Sequence, residues 1–229
     1  MGSILIPELI KDGHFVYCLD RFFFGKDFLS SKKFKNSLQL IQDDIRWFDS
    51  KVLDGVDVVM DLAALSNDPV GDLDPNITYE INHLGRSRVA KLSKAAGVPK
   101  YILASSASIY GQQDQIATEE SLVCPLTAYS KANRKAEIDI LPLSSDDFSV
   151  TALRFSSVYG ISPRMRFDLA INGMTYNSWK YGQLPLMRDG SQRRPMIHIK
   201  DVCRGMLFII NTDFNKINNQ IFNLGDNQN

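Results

Sequence analysis

The sequence is short of the features that mark several protein classes. No apolar run reaches the roughly 18 residues that a membrane span needs, so we expect no membrane partner. The 26 basic and 26 acidic residues cancel, which argues against a nucleic-acid partner. The three cysteines, Cys18, Cys124 and Cys203, are far apart and lack metal-ligand spacing. We therefore expect a globular protein of the reducing cytoplasm with no bound metal.

A central stretch carries the strongest functional signal. It reads ASSASIYG, then a polar loop, then PLTAYSKANRKAE. The pattern predicts a strand over residues 100–105 and a helix over residues 128–141. Ser106 would follow the strand and Tyr129 would open the helix, so that a hydroxyl and a phenol could converge on one substrate oxygen. Such a pair suits proton transfer to or from an alcohol or a ketone.

At these residues the chain resembles the extended short-chain dehydrogenase/reductases, in particular the NAD-dependent nucleotide-sugar epimerases and dehydratases. The pattern of that family is S-S-x-x-[VI]-Y-G, then Y-x-x-x-K, with a glutamate eight residues after the tyrosine. The resemblance implies that Ser106 is the catalytic serine and Tyr129 the catalytic tyrosine, and Glu137 keeps the acidic position. Asn133 stands where the family has its lysine, and we include it among the catalytic candidates.

The asparagine has a physical consequence for the tyrosine. A phenol with a pKa of about 10 that acts near pH 7 needs roughly 4 kcal/mol of preferential phenolate stabilisation. In the family a lysine and the positive nicotinamide share that task, whereas Asn133 brings a hydrogen bond without a charge. Lys131 and Lys135 lie on other faces of the predicted helix. We predict a weakened site, or one repaired by a basic residue that the sequence does not identify.

The resemblance implies an α/β fold with a Rossmann-type doubly wound parallel sheet. It places an NAD-binding domain at residues 1–160 and a partial, smaller substrate-binding region, interleaved with the last sheet elements, at residues 161–229. A helix over residues 4–11 and a strand over residues 15–19 form the second half of a βαβ unit. Gly2 resembles the third glycine of the dinucleotide motif, so the first strand would be missing. Because that strand is central, we expect a split sheet with two unpaired edges.

The resemblance also implies NAD as the cofactor. Asp20 falls near the position, about 20 residues beyond the glycine motif, where an acid binds the ribose hydroxyls. Taken alone, Gly2 and Asp20 also fit a chain start and a turn after a strand. Asp44 and Ile45 match the pair that holds the adenine edge, and small residues after the next strand would approach the phosphates. The predicted cofactor contacts are Gly2, Asp20, Asp44, Ile45, Leu62, Ala63, Ala64, Ser105 and Tyr129.

A nucleotide-sugar substrate follows from the same resemblance. Arg194 matches the arginine that binds the nucleotide diphosphate, a role that suits a planar guanidinium because it pairs two oxygens at once. His198 lies where family members carry a residue just inside the site, and Ser157 lies where many have asparagine. Ser66 and Ser108 complete the predicted substrate contacts.

The resulting hypothesis is a nucleotide-sugar 4-epimerase, in which Tyr129 takes a hydroxyl proton and Ser106 orients the oxygen. The dehydratase branch usually has acidic residues just after the catalytic hydroxyl residue, but Ala107 and Ser108 stand there. Epimerase or simple reductase chemistry is therefore favoured over dehydration. Three alternatives stay open: a catalytically silent NAD- or nucleotide-binding protein of the same fold, which Asn133 supports, a nucleotide-sugar dehydratase or reductase, and a non-functional fragment. A homodimer is a further expectation from the resemblance.

Overall fold

Strands and helices alternate along most of the chain. The computed structural model describes residues 1–29, 34–66, 68–186, 189–191 and 193–225, so that Asn67, Arg188 and Gln192 lie outside the described residues. The strands are β1 (Val16–Asp20), β2 (Leu38–Gln42), β3 (Val58–Asp61), β4 (Lys100–Ser106), β5 (Ser149–Phe155), β6 (Ser157–Tyr159), β7 (Met196–His198) and β8 (Gln220–Leu224). The helices are α1 (Gly2–Lys11), α2 (Asp68–Leu73), α3 (Pro75–Tyr79), α4 (Arg86–Ala95), α5 (Ala128–Ile140), α6 (Ala170–Tyr181), α7 (Ile199–Asn211) and α8 (Phe214–Ile217).

The strands pair in three parallel groups. One sheet has the order β3-β4-β5-β8, a second joins β1 to β2, and a third joins β6 to β7. Among the described residues, β1 and β3 are not hydrogen-bonded to each other, so the predicted split of the sheet is confirmed. In each parallel pair the carboxyl ends of the strands meet at one edge, and the residues that follow the strands become neighbours.

Helices cover both faces of the four-stranded sheet. Because side chains alternate along a strand, Ile102 and Leu153 pack with α1 and α7, while Tyr101 and Leu103 pack with α4 and α5. Strands that are buried on both faces read as nearly continuous apolar runs, as β4 and β5 do. The predicted doubly wound α/β fold is therefore confirmed.

The segment before β4 differs from its predicted form. The sequence predicts one helix over residues 76–96, but a π-helical segment, Glu80–Gly85, separates α3 from α4. This segment contains Asn82, whose Nδ2 donates to the Leu65 carbonyl at 2.9 Å and whose Oδ1 accepts from the Leu65 amide at 2.8 Å. Asn82 thereby braces the segment that follows β3.

The C-terminal region contributes to the main sheet. β8 pairs with β5, and α7 packs against α1, so residues beyond 160 complete the sheet and its cover. The division at residue 160 stays a prediction. None of the helices in the described ranges has the length and apolar character to cross a membrane.

The packing between α1, α7 and the sheet gives a stability prediction. Met206 on α7 is fully buried, so Met206→Ala should lower the free energy of unfolding by about 2–5 kcal/mol through the cavity it leaves. Phe208→Ala, two residues on and 71% exposed, should change it by less than about 0.5 kcal/mol. Urea unfolding of both variants makes the comparison. Equal losses would contradict this placement of the core.

Candidate active site

The carboxyl end of β4 and the start of α5 bring together the two predicted hydroxyl residues. Ser106 ends β4, Tyr129 lies in the first turn of α5, and the nearby Ser106 hydroxyl acts to lower the pKa of the Tyr129 phenol. Ser108 extends the row, since its Oγ lies 2.9 Å from the Ser106 Oγ. Three hydroxyl groups thus adjoin at one edge of the sheet, where they can bind and exchange protons with an oxygen-bearing ligand.

The first turn of α5 is fixed by its cap and by α2. Thr127 and Ser130 form a reciprocal capping box, in which each side-chain oxygen accepts the other's backbone N–H. Thr127 also donates to Asp68 at 2.5 Å, and Asp72 accepts from the Ala128 amide at 3.0 Å. The sequence alone suggests that these two aspartates merely solvate a loop; this is wrong, because both hold the helix that carries Tyr129.

Close packing between α2 and α5 adds a steric constraint. A Cβ placed on Gly71 would lie 2.9 Å from the Tyr129 Cβ, closer than real Cβ atoms approach. A glycine at this position therefore lets the two helices meet at the tyrosine.

The electrostatic environment of Tyr129 is mixed. Burial raises the pKa of its phenol, and the negative charge of Asp68 raises it further. The hydrogen bond from Ser106, the positive charge of Arg86 and the hydrogen bond from Asn133 act in the opposite direction. The net effect is a raised pKa, so further positive charge is needed before the phenol can act as a base near neutral pH.

Asn133 lies one helical turn after Tyr129 and is 1% exposed. Its Nδ2 donates to the Tyr129 carbonyl at 3.0 Å, and its Oδ1 accepts from Nη1 of Arg86 at 2.8 Å. Arg86, at the start of α4, is fully buried, and its Nη2 donates to the Ala104 carbonyl at 2.6 Å and the Asp61 carbonyl at 3.1 Å. The sequence identifies no cation near the tyrosine, because α4 is polar overall and nothing in its pattern distinguishes Arg86 from a surface residue.

A second buried network lies beneath the same strand ends. Ser105 donates to Oε1 of Glu137 at 2.6 Å, and Arg154 binds both oxygens of Glu137, at 2.9 and 2.8 Å. Arg154 also donates to the Tyr110 hydroxyl at 2.8 Å. The Ser105 side chain thus joins β4 to α5 and β5, and its predicted contact with a cofactor stays a prediction.

The predicted cofactor residues lie at strand and helix ends on the carboxyl edge. Gly2 opens α1, and Asp20 ends β1, where its Oδ1 accepts from the Phe22 amide at 2.6 Å. Three residues follow β3 in the chain, namely Leu62, Ala63 and Ala64, and all three are half-buried. An exposed carboxylate beside small residues at the ends of parallel strands is a donor set that suits a dinucleotide.

Asp44 and Ile45 have structural partners in the described residues. The Asp44 carboxylate binds Arg21 at 2.5 Å and Arg46 at 3.0 Å. Burial favours the neutral acid, but the hydrogen bonds from Arg46 and Arg21 outweigh it and lower the pKa of Asp44 to about 2. Ile45 is buried against Gly85, where an added Cβ would lie 3.0 Å from the Ile45 Cδ1. The contact of Asp44 and Ile45 with an adenine edge stays a prediction.

The predicted substrate residues fall into two groups. Ser66 follows β3 and is held by an arginine that sequence reasoning missed: Arg166 donates to the Ser66 hydroxyl at 2.5 Å and to its carbonyl at 2.8 Å. Arg166 also pairs with Asp168 at 2.5 Å. The SPRMRFD segment shows two arginines, but neither its spacing nor its composition indicates which one reaches the site.

The second group lies on the β6–β7 sheet. Ser157 opens β6 and is exposed, with its amide donating to the Pro195 carbonyl at 3.0 Å, and Arg194 is exposed just before β7. His198 caps α7, since its Nδ1 accepts from the Lys200 amide at 3.3 Å. The sequence predicts Asp201 as that cap; this is wrong, because α7 begins earlier, at Ile199.

Fold and site together define an α/β enzyme with a dinucleotide-type strand edge and a serine–tyrosine pair. The sequence profile of the NAD dependent epimerase/dehydratase family matches residues 1–225. The chain therefore belongs to this family, whose members are NAD-dependent enzymes, and the predicted family, cofactor and enzyme class are confirmed.

Individual relatives and solved structures agree with this assignment. The chain is 28% identical over 222 residues to an uncharacterised UDP-glucose epimerase of Bacillus subtilis, covering 92% of this chain and 69% of that protein. It is 29% identical over 180 residues to a UDP-glucuronate 4-epimerase of Thermodesulfobacterium geofontis, covering 76% of this chain and 53% of that protein. The UDP-glucuronic acid 4-epimerase of Bacillus cereus, solved with UDP-glucuronic acid and NAD, superposes with a TM-score of 0.88 at 26% identity, covering 99% of this chain and 74% of that chain.

Gly71 gives a test of the packing around Tyr129. Gly71→Ala should raise helix propensity, yet we expect it to lower the free energy of unfolding by about 1–3 kcal/mol because the added methyl overlaps Tyr129. Leu73→Ala, on the same helix and 83% exposed, is the control and should be nearly neutral. Thermal unfolding measures both. A stabilised Gly71→Ala protein would contradict the described contact.

The lowered pKa of Asp44 gives a pH test. Because the folded pKa, about 2, lies below the ordinary value of 3.8, the ion pairs contribute about 2 kcal/mol of stability above pH 4, which is lost as the pH falls towards 2. Asp44→Asn should therefore be less stable than the parent at pH 7, and the difference should shrink between about pH 4 and 2. Denaturant unfolding across this range measures it, with Asp57→Asn at an exposed position as control. A difference that does not depend on pH would refute the ion-pair explanation.

Proposed function

We propose that the protein is an NAD-dependent nucleotide-sugar 4-epimerase, with Tyr129 as the proton acceptor and Ser106 orienting the sugar oxygen. The observation that carries the proposal is the placement of these two residues, Ser106 at the carboxyl end of β4 and Tyr129 in the first turn of α5, where Ser106 acts to lower the pKa of the phenol. The resemblance to a UDP-glucuronate 4-epimerase at 29% identity supports the reaction type. The fold similarity to a 4-epimerase solved with UDP-glucuronic acid and NAD supports a nucleotide-sugar substrate.

The proposed chemistry divides the work between chain and cofactor. NAD, when bound, supplies the acceptor and later the donor of a hydride. Tyr129, as phenolate, takes the proton of the sugar hydroxyl while the C–H bond at the same carbon gives up its hydride. Ser106 hydrogen-bonds the oxygen as it becomes a carbonyl. Tyr129 then returns the proton when the hydride comes back to the opposite face, so that the configuration is inverted and no net oxidation occurs.

The residues present fit a bound dinucleotide at the strand edge. Asp20 would accept hydrogen bonds from the ribose hydroxyls, and Ala63 and Ala64 leave room for phosphates to approach the backbone. The start of α1 at Gly2 would place backbone N–H groups towards those phosphates. We propose Ser66, Ser108, Ser157, Arg194 and His198 as contacts for the nucleotide sugar.

Epimerisation is favoured over dehydration by the residues that follow Ser106. Loss of water needs an acid and a base in addition to the tyrosine that accepts the hydroxyl proton. The turn Ala107–Tyr110, which follows Ser106, begins with Ala107 and Ser108. Neither side chain is acidic. Assembly into a homodimer stays a prediction.

A catalytically silent nucleotide-binding protein is the second candidate. The observation in its favour is the raised pKa of Tyr129, which burial causes, beside an uncharged Asn133. Such a protein would bind NAD and a nucleotide sugar without converting it.

Conversion of a sugar nucleotide tests the proposal. The chain, incubated with NAD and UDP-glucose or UDP-glucuronic acid, should form the 4-epimer, detected by proton NMR of the anomeric signals. Tyr129→Phe should lower the rate by roughly 10²–10⁴-fold because it removes the proton acceptor, and Ser106→Ala should also slow it. Tyr181→Phe, at an exposed position on α6, is the matched control and should retain the parent's rate. Binding of both ligands without epimer formation would instead establish the silent protein.

A further inference from the structure

The buried position of Arg86 needs an explanation. A cation without water contact is costly unless its surroundings compensate it. Arg86 is fully buried where β3, β4 and α5 meet, and its side chain reaches a carbonyl of each strand. Its Nε lies 3.3 Å from the Asp61 carboxylate. A guanidinium held this firmly keeps one orientation, with its Nη1 edge directed at Asn133.

Arg86 determines which way the Asn133 amide faces. Amide oxygen and nitrogen are alike in shape, so their assignment depends on the hydrogen-bond partners. Arg86 can only donate, and its Nη1 lies 2.8 Å from Asn133, so the oxygen must face the guanidinium. The NH2 group then faces the Tyr129 side, where it donates to the Tyr129 carbonyl at 3.0 Å and acts to lower the pKa of the phenol.

The charges around the phenol are few among the described residues. Arg86 acts on it from α4, and Asp68 opposes Arg86 from α2. Asp61 on β3 partly balances Arg86, but its Oδ2 is shared with the buried Tyr101 hydroxyl, which donates to it at 2.5 Å. Asp61 contacts the Nε side of the guanidinium, whereas the Nη1 side points through Asn133 towards Tyr129. The edge of the guanidinium that faces away from Asp61 is thus the one directed, through Asn133, at the helical turn that carries Tyr129.

We propose that Arg86 and Asn133 act as one unit that stabilises the phenolate of Tyr129, Arg86 supplying the positive charge and Asn133 the hydrogen bond. This inference rests on the proposed function only in taking Tyr129 as the base. Arg86 is a positioning residue, since it acts through Asn133 and does not touch the reacting atoms. The unit accounts for an asparagine one turn after the tyrosine without requiring an inactive site.

Asn133→Asp is the sharpest variant. The carboxylate has the shape of the amide and gives the buried Arg86 a full counter-charge, so we expect the fold to be retained. It removes the NH2 donor and places a negative oxygen beside Tyr129. The pKa of the phenol should rise by at least about one unit, and activity at pH 7 should fall by at least about tenfold. Unfolding of this variant would itself contradict the proposal, because it would show that Arg86 is not held facing position 133.

The direct readout is the titration of Tyr129 itself. A difluorotyrosine incorporated at position 129 has a lowered intrinsic pKa, and its fluorine NMR signal reports phenol ionisation at that site alone. The measurement uses the full chain and requires neither NAD nor sugar. A merely structural role for Arg86 and Asn133 would leave the titration of a folded Asn133→Asp protein unchanged, and that result would overturn the proposal.

Paired variants test the charge separately. Arg86→Gln should raise the phenol pKa and slow turnover. Adding Asn133→Lys to this variant should bring the phenol pKa and the turnover rate part of the way back to the parent's values, because the lysine supplies the positive charge directly. Arg88→Gln is the matched control: Arg88 donates to the Phe48 carbonyl at 3.0 Å from the same helix, so its loss should affect stability but not the titration. Failure of the lysine to lower the phenol pKa in the double variant would overturn the proposal.

The outcomes separate this inference from the proposed function. Shifted titrations with no epimer formed from any sugar nucleotide would sustain the Arg86–Asn133 unit and reject the epimerase. Epimer formation with an unshifted titration of Tyr129 would sustain the epimerase and reject the Arg86–Asn133 unit.

Discussion

The buried guanidinium of Arg86 is the contact on which the site geometry depends. It binds the ends of β3 and β4 through the carbonyls of Asp61 and Ala104, and it binds α5 through Asn133. These three elements carry the strand edge, Ser106 and Tyr129. Because leaving any of these partners unpaired inside the protein would be costly, the relative placement of strand ends and helix is strongly determined. The same cation then has an electrostatic effect on the phenol that it positions.

A second buried ion pair supports the first from the other side of α5. Arg154 on β5 binds both oxygens of Glu137, and Ser105 completes the carboxylate's hydrogen bonds. The two networks lie one helical turn apart on α5, at positions 133 and 137. One links α5 to β3 and β4 next to the tyrosine, and the other links it to β4 and β5. Tyr129 is thereby held by rigid elements rather than by a loop, an arrangement that suits the proposed proton transfer.

Much of the fold was predictable from the sequence, because its signals are local. Apolar runs and turn residues located β1, β4 and α5 within one or two residues, and the expectation of a split sheet was correct. The Ser106–Tyr129 pairing was also predictable, since a strand end and a helix start meet at one edge of a parallel sheet. The break between α3 and α4 was not, because a single π-helical segment of six residues is too short to alter the apolar spacing of the whole helix detectably.

The parts of the site that sequence missed depend on contacts between distant residues. Arg86 and Asn133 are 47 positions apart, and Arg166 and Ser66 are 100 apart. Asp68 and Asp72 resemble solvated loop residues until α2 is packed on the start of α5. His198 shows the opposite case, since a position predicted to line a substrate site also caps a helix. Periodicity and propensity describe neighbours along the chain, so none of these partnerships leaves a local signal.

In the proposed reaction Tyr129 accepts a proton during oxidation of a sugar carbon. Its most direct test is single-turnover reduction of NAD, followed by the absorbance of the reduced nicotinamide after mixing with UDP-glucuronic acid or UDP-glucose. We expect a transient absorbance increase in the parent and its loss in Tyr129→Phe. An equal signal in both proteins would contradict this role of Tyr129, because the proton would then leave by another route.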